Sequence, residues 1–216
     1  MKKYYGYIYT ILSAIIFGLM PLGAKIIYKN GSNSITLAFH RFLFSMPFLY
    51  FLARSKSAKS LRISKDKLKK LLFLSIGYIS TPILLLSSYN FISSGTATTI
   101  HFIYPVLVLL GCAIFYKEKI NFIRGLSCLL CTLGLLTFYT PGDDIAVFGL
   151  IISFMSGITY AFYIIYFAKS DLEGMDTYTI SFYLSLIGSI ELFLISIVTK
   201  TLTFNLNGRA WLLTYF

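Results

Sequence analysis

The stretch "SSGTATTIHFIYPVLVLLGCAIFYKEKI", Ser93–Ile120, decides the fold. From Thr96 to Tyr116 nearly every residue is apolar or a small hydroxyl. That is about 20 residues, the length a helix needs to cross a hydrocarbon core about 30 Å thick. Two residues interrupt the pattern, His101 and Pro105, and the run stops on Lys117-Glu118-Lys119. Proline removes a backbone hydrogen bond, so Pro105 predicts an opened or bent helix near mid-membrane, either beside a solute pathway or as a kink that only shapes the bundle. Glu118 precedes the next apolar run, where a carboxylate suits the positive end of a helix, and the two lysines hold that end on the cytoplasmic side.

The rest of the 216-residue chain agrees. It is 57% hydrophobic, 18% aromatic and 12% charged, with a mean hydropathy of +0.77. Soluble domains carry roughly 25% charged residues, so this chain has too little polar surface for a water-soluble fold. The net charge of +11 does not imply nucleic acid, because the basic residues cluster at the ends of apolar runs and form no continuous face in water. Cys112, Cys128 and Cys131 all lie inside apolar runs, an arrangement that suits packing and not a disulfide framework. The opening "MKKYYGYIYTILSAIIFGLM" resembles a signal peptide, but its apolar part is long and no small-x-small cleavage site follows. It is expected to be a retained first span.

Seven segments have spanning length: Tyr4–Ala24, Ile35–Ala53, Leu71–Ile92, Thr96–Tyr116, Phe122–Tyr139, Ile145–Ala168 and Tyr178–Val198. An eighth begins near Ala210. The expectation is an all-α, polytopic transmembrane bundle of seven full spans and the start of another. With the N-terminus in the cytoplasm, fourteen of the nineteen Lys and Arg fall inside, eight of them in the linker Arg54–Lys70, and four fall outside. This is the positive-inside bias of a multi-pass protein of the cytoplasmic membrane, and the basic linker meets the anionic inner leaflet or simply anchors the topology.

An offset of 143 residues relates two parts of the chain. Gly6, Thr10, Ala14 and Gly18 recur as Gly149, Ser153, Gly157 and Ala161, and Ser13, Gly31, Thr36 and Phe39 recur as Ser156, Gly174, Thr179 and Phe182. Spacing by four keeps small residues on one helix face, where backbones can approach closely. A repeat unit of five spans inverts its second copy, as in secondary transporters. Two units are expected, residues 1–140 and a partial copy at 145–216.

The run "GTATTIHFIYPVLVLLGCAIFYKEKINFIRGLSCLLCTLGLLTF" is similar to the end of the first EamA domain of the drug/metabolite transporter superfamily. The resemblance rests on small residues opening a helix, the mid-helix Pro105, Glu118 at the cytoplasmic end, and Gly125 and Gly134 in the closing helix. The opening "AIIFGLMPLGAKII…SITLAFHRFLFSMP" resembles the start of the same domain, with Lys25 and Arg41 at its polar positions. The resemblance implies ten spans in two five-span repeats and movement of small organic solutes; this chain lacks roughly the last three.

Charges within a span cost at least about 2.5–3.5 kcal/mol and mark function by default. Counting about 1.5 Å per residue puts Arg41 and Glu191 both about 10 Å below the outer surface. Asn90 and His101 are expected at or above a similar depth, and His40 adjoins Arg41. The substrate-binding candidates are His40, Arg41, Asn90, His101, Tyr104 and Glu191. Arg41 offers a fork for a carboxylate or phosphate, or else snorkels to the headgroups. Glu191 or His101 is the candidate proton carrier, and Arg41 is expected to face Glu191 across the repeat interface. Tyr104, Tyr160 and Tyr163 are stacking candidates, although many of the 17 tyrosines suit interfacial anchoring.

The expected partners are the lipid bilayer, a small-molecule solute, a coupling proton or other ion and, as an open alternative, a second copy of the chain. No cofactor or metal is expected. No H-E-x-x-H, G-x-S-x-G or phosphate-binding glycine loop is present, so an intramembrane enzyme is disfavoured. The competing class is a membrane subunit that needs a partner.

Overall fold

The computed structural model describes residues 2–56, 61–136, 146–172 and 174–204, together with 208, 211 and 214. All regular structure among them is helical: α1 (Lys2–Lys29), α2 (Ser34–Lys56), α3 (Lys65–Ser88), α4 (Ser94–His101), α5 (Tyr104–Tyr116), α6 (Phe122–Leu136), α7 (Val147–Lys169) and α8 (Thr177–Val198).

Among the described residues, six segments are long and apolar enough to cross a membrane, with α4 and α5 counted as one, Ser94–Tyr116. The expected fifth span differs. Helix α6 has 15 described residues, about 22 Å of helix, and residues 137–145 lie outside the description. The acidic turn of Asp143 and Asp144 falls there, as do residues 57–60 of the basic linker and most of the region beyond 204 where an eighth span was expected.

Capping sets the boundaries. The Asn33 side chain accepts from the Thr36 backbone N–H at the start of α2. Ser64, Ser93 and Asp176 cap α3, α4 and α8 by accepting from Lys67, Thr96 and Thr179, each satisfying an orphan donor of the first turn. Lys117 closes α5 in the left-handed conformation, φ 54°, the usual geometry just past a helix end.

Two antiparallel pairs form the centre of the bundle, α2 with α8 and α3 with α7. The start of α2 meets the chain leaving α8, where Asn33 Nδ2 and Thr36 Oγ1 both donate to the Thr201 carbonyl. At the opposite end the Tyr183 hydroxyl donates to the Leu61 carbonyl. Leu37, Leu71, Leu74, Leu86, Leu184 and Leu192 are buried along these seams. The outer surface carries large apolar side chains instead, among them Tyr9, Ile15, Phe48, Phe51, Phe115 and Ile123. An apolar exterior of this extent is what lipid requires and water does not tolerate. Charge separates along the same axis: Arg62, Lys65, Lys70, Lys117 and Lys169 lie at one end, Lys29 and Lys200 at the other.

The two matched small-residue stripes behave differently. On α7, Gly149, Ser153, Gly157 and Ala161 are all buried, and a Cβ on Gly157 would lie 3.2 Å from the His101 carbonyl oxygen and 3.1 Å from Ile103. On α1, Gly6 and Gly18 face open space. The close-packing role expected of both stripes therefore holds for α7 alone, because α1 touches the bundle only lightly, through α4 and α2. The α3–α7 seam has its own close approach: a Cβ on Gly77 would come within 2.8 Å of the Thr159 carbonyl oxygen.

Candidate functional site

The break expected around Pro105 is present as a turn at Phe102 and Ile103 between α4 and α5. Pro105 has no N–H to give the His101 carbonyl four residues back, and the freed carbonyl lies beside Gly157 of α7. The His101 side chain is buried, 2% exposed, with Nδ1 2.9 Å from Ser156 Oγ. Ser156 donates its own proton to the Ser153 carbonyl. His101 must then be the donor at Nδ1, which leaves Nε2 as an acceptor. Ser153 in turn donates to the Ala97 carbonyl, so the broken segment is tied to α7 at the histidine and one turn before it.

His101 borders two adjacent spaces. One, about 300 Å³, lies between α1, α2, α3, α4 and α7 and is lined by Phe17, Arg41, Phe42, Tyr78, His101 and Tyr160 among others. The wider one, about 970 Å³, shares Phe17, His101 and Tyr160 and adds Ser13, Thr98 and Tyr104. Arg41 also lines two further cavities against α1, of about 310 and 440 Å³. In the three that it borders, Arg41 is the one described lining residue among Asp, Glu, Lys and Arg, and the wide cavity has none of these among its described lining residues. Arg41 makes no ion pair and no hydrogen bond among the described residues, and the phenols of Tyr78 and Tyr89 lie near enough to interact with its charge.

The sequence candidates therefore divide. Arg41 borders the smaller cavity, Tyr104 the wider one and His101 both. His40 borders neither: adjacent residues on a helix point about 100° apart, and the His40 ring is buried against Phe44, Phe204 and Trp211 at centroid distances of 5.7, 5.6 and 4.9 Å. Neither of its ring nitrogens has a hydrogen-bond partner among the described residues. Asn90 is exposed in the turn beyond α3. Glu191 is half-buried on the α3–α8 seam, where its Oε1 lies 3.2 Å from Ser75 Oγ. That hydroxyl also lies 2.8 Å from the Leu72 carbonyl, so its single proton is shared between two acceptors. The expected Arg41–Glu191 contact is absent; equal depth along two helices does not fix the direction in which their side chains point.

Two contributors were missed. Tyr78 lies ten residues before the end of α3, about 15 Å along the helix, and the depth count that singled out Arg41 reaches it. Ser156 was read only as part of the repeat, and nothing in its spacing links it to His101.

At the basic end, Glu118 Oε1 accepts a 2.6 Å hydrogen bond from Lys169 Nζ. This bond and the lysine's charge hold the Glu118 carboxyl below the ordinary carboxylate range. Lys169 also lies 5.0 Å from the Tyr116 ring centroid, and Lys70 lies 3.6 Å from Asp171. The ends of α3, α5 and α7 are thereby joined by charge.

No curated protein matches the chain. The sequence pattern of the EamA-like transporter family matches residues 4–140, more than half of the 216 residues. The polytopic apolar helices, the broken segment at Pro105 and the internal cavity beside it are thus those of a membrane protein that belongs to the EamA-like transporter family.

Proposed function

We propose that the protein is a secondary transporter that moves small organic solutes across the cytoplasmic membrane by alternating access, with its N-terminus in the cytoplasm. The observation that carries this reading is Arg41, a guanidinium with no counter-charge among the described residues, bordering adjacent cavities inside a bundle of apolar helices. A half-buried cation within a membrane span and without a counter-charge is costly in lipid, and a solute carboxylate or phosphate supplies the missing partner through the guanidinium fork. His101 is the proposed proton-coupling group, Tyr104 a wall of the pathway, and Glu191, His40 and Asn90 act from outside the cavity. The inverted repeat, with units at residues 1–140 and 145–216, is supported by the antiparallel run of α2 and α8, the two helices that the 143-residue offset makes equivalent. The basic end, placed in the cytoplasm, supports the orientation.

Purified full chain in sealed vesicles tests the reading by counterflow against a panel of organic acids, phosphate esters, amines and sugars. Saturable exchange of any one of them, lost in Arg41→Gln, is the expected outcome. Exchange of none by wild-type protein counts against it.

A second reading, a membrane subunit that transports only with a partner, is favoured by the open space beside Gly6 and Gly18 on α1. Counterflow that appears only when a second membrane protein is co-reconstituted selects it.

A further inference from the structure

We infer that the solute held at Arg41 is an aromatic organic acid without an ammonium group, its acid on the guanidinium and its ring among Phe17, Tyr78 and Tyr160. This rests on the transport reading above and deepens it. Among the described residues the lining carries one formal charge, the positive one of Arg41 in the smaller cavity, and no carboxylate to receive a second cation. A simple anion neutralises the site; a zwitterion brings an ammonium that finds only rings and hydroxyls.

The body of the solute is specified by the walls. Rings continue from the Arg41 side of the small cavity to the wide one. Phe42 meets Tyr78 at 5.5 Å, Tyr78 meets Tyr163 at 5.2 Å, and Tyr163 lies 5.8 Å from Tyr160. Tyr160 in turn meets Tyr104 edge to face at 4.7 Å and His101 at 5.4 Å. Across the space, Phe17 of α1 packs on Phe102 at 6.1 Å. Aromatic surfaces favour offset and edge-to-face partners over a saturated ring of similar bulk. The small cavity, about 300 Å³, falls at the lower end of the range for small-molecule sites, which suits a single ring on a short acid chain. Because α1 forms one wall of every Arg41 cavity and holds the bundle lightly, such a solute also has a route in from the bilayer side.

The test is direct binding to the full chain in phosphatidylcholine nanodiscs, with four probes: 3-phenylpropanoate, 3-cyclohexylpropanoate, 3-phenylpropan-1-ol and phenylalanine. The expected result is that 3-phenylpropanoate binds at least about tenfold more tightly than the other three. Arg41→Gln should lower it to the level of the alcohol. Tyr160→Leu should erase its advantage over the cyclohexyl acid and keep its advantage over the alcohol; if that variant unfolds, Phe17→Leu on the lightly packed α1 makes the same comparison. Equal binding of the cyclohexyl acid, the alcohol or phenylalanine overturns the inference, and so does binding of none. The counterflow panel separates the two failures: if it finds a solute of another class, the transport reading survives and only this inference falls.

Discussion

His101 Nδ1 lies 2.9 Å from Ser156 Oγ, and this contact joins the break in the fourth membrane segment to the helix it packs against. The histidine ends α4, its freed carbonyl faces Gly157 and its ring meets Ser156, both on α7, and the free ring nitrogen is left to the cavity. Ser156→Ala removes the acceptor that fixes the ring. Transport is expected to fall about tenfold and its pH dependence to shift, while Ser153→Ala, which cuts the backbone tie to Ala97, lowers thermal stability with a smaller effect on the pH profile. Uptake measured from pH 5 to 8 separates the two. Identical profiles for wild type and Ser156→Ala contradict the positioning role.

Gly77 is expected to tolerate no side chain. A Cβ there would come within 2.8 Å of the Thr159 backbone oxygen and 2.7 Å of the Phe162 ring, so α3 and α7 must part. Overpacking of this kind costs about 1–3 kcal/mol. Gly77→Ala should lower the unfolding midpoint in detergent, and Gly77→Val should lower it further. Gly18→Ala, on the open stripe of α1, is the control expected to change little.

The Glu118–Lys169 pair gives a pH signature outside the membrane segments. Lys169 depresses the Glu118 carboxyl below its ordinary value of 4.5, so its stabilisation is complete above that value and is lost as pH falls through the lowered one. Both side chains are more than a third exposed, and the pair's effect is accordingly small. Glu118→Gln should unfold slightly earlier than wild type at pH 7, and the two should converge at acid pH. A gap that widens on acidification contradicts the assignment.

Arg41 and Glu191 are expected to act independently. Exchanging them, Arg41→Glu with Glu191→Arg, should restore nothing that Arg41→Glu alone loses in counterflow, because Glu191 meets Ser75 on the far seam. Recovery of exchange in the double variant would place the two in one site.

What could be read from the sequence followed from length and period. The membrane class, six of the seven expected helical spans, the break at Pro105 and the charge asymmetry between the ends all come from local composition, and these the structure contains. The cavity was only half legible. Depth along each helix is a count, so Arg41 and His101 could be placed at similar levels, but azimuth depends on how helices rotate when they pack. That is why Glu191 and His40 were grouped with Arg41 and are not with it. The α7 stripe was legible as a packing face; its partner, the carbonyl freed by Pro105, was not, because that contact spans 56 residues and two helices.

The most direct measurement of the central claim is counterflow of 3-phenylpropanoate by wild type, Arg41→Gln and Glu191→Gln in phosphatidylcholine vesicles. The account predicts saturable exchange by wild type, loss of at least about tenfold in Arg41→Gln, and retention of most exchange in Glu191→Gln. Exchange by Arg41→Gln at the wild-type rate and KM would contradict it.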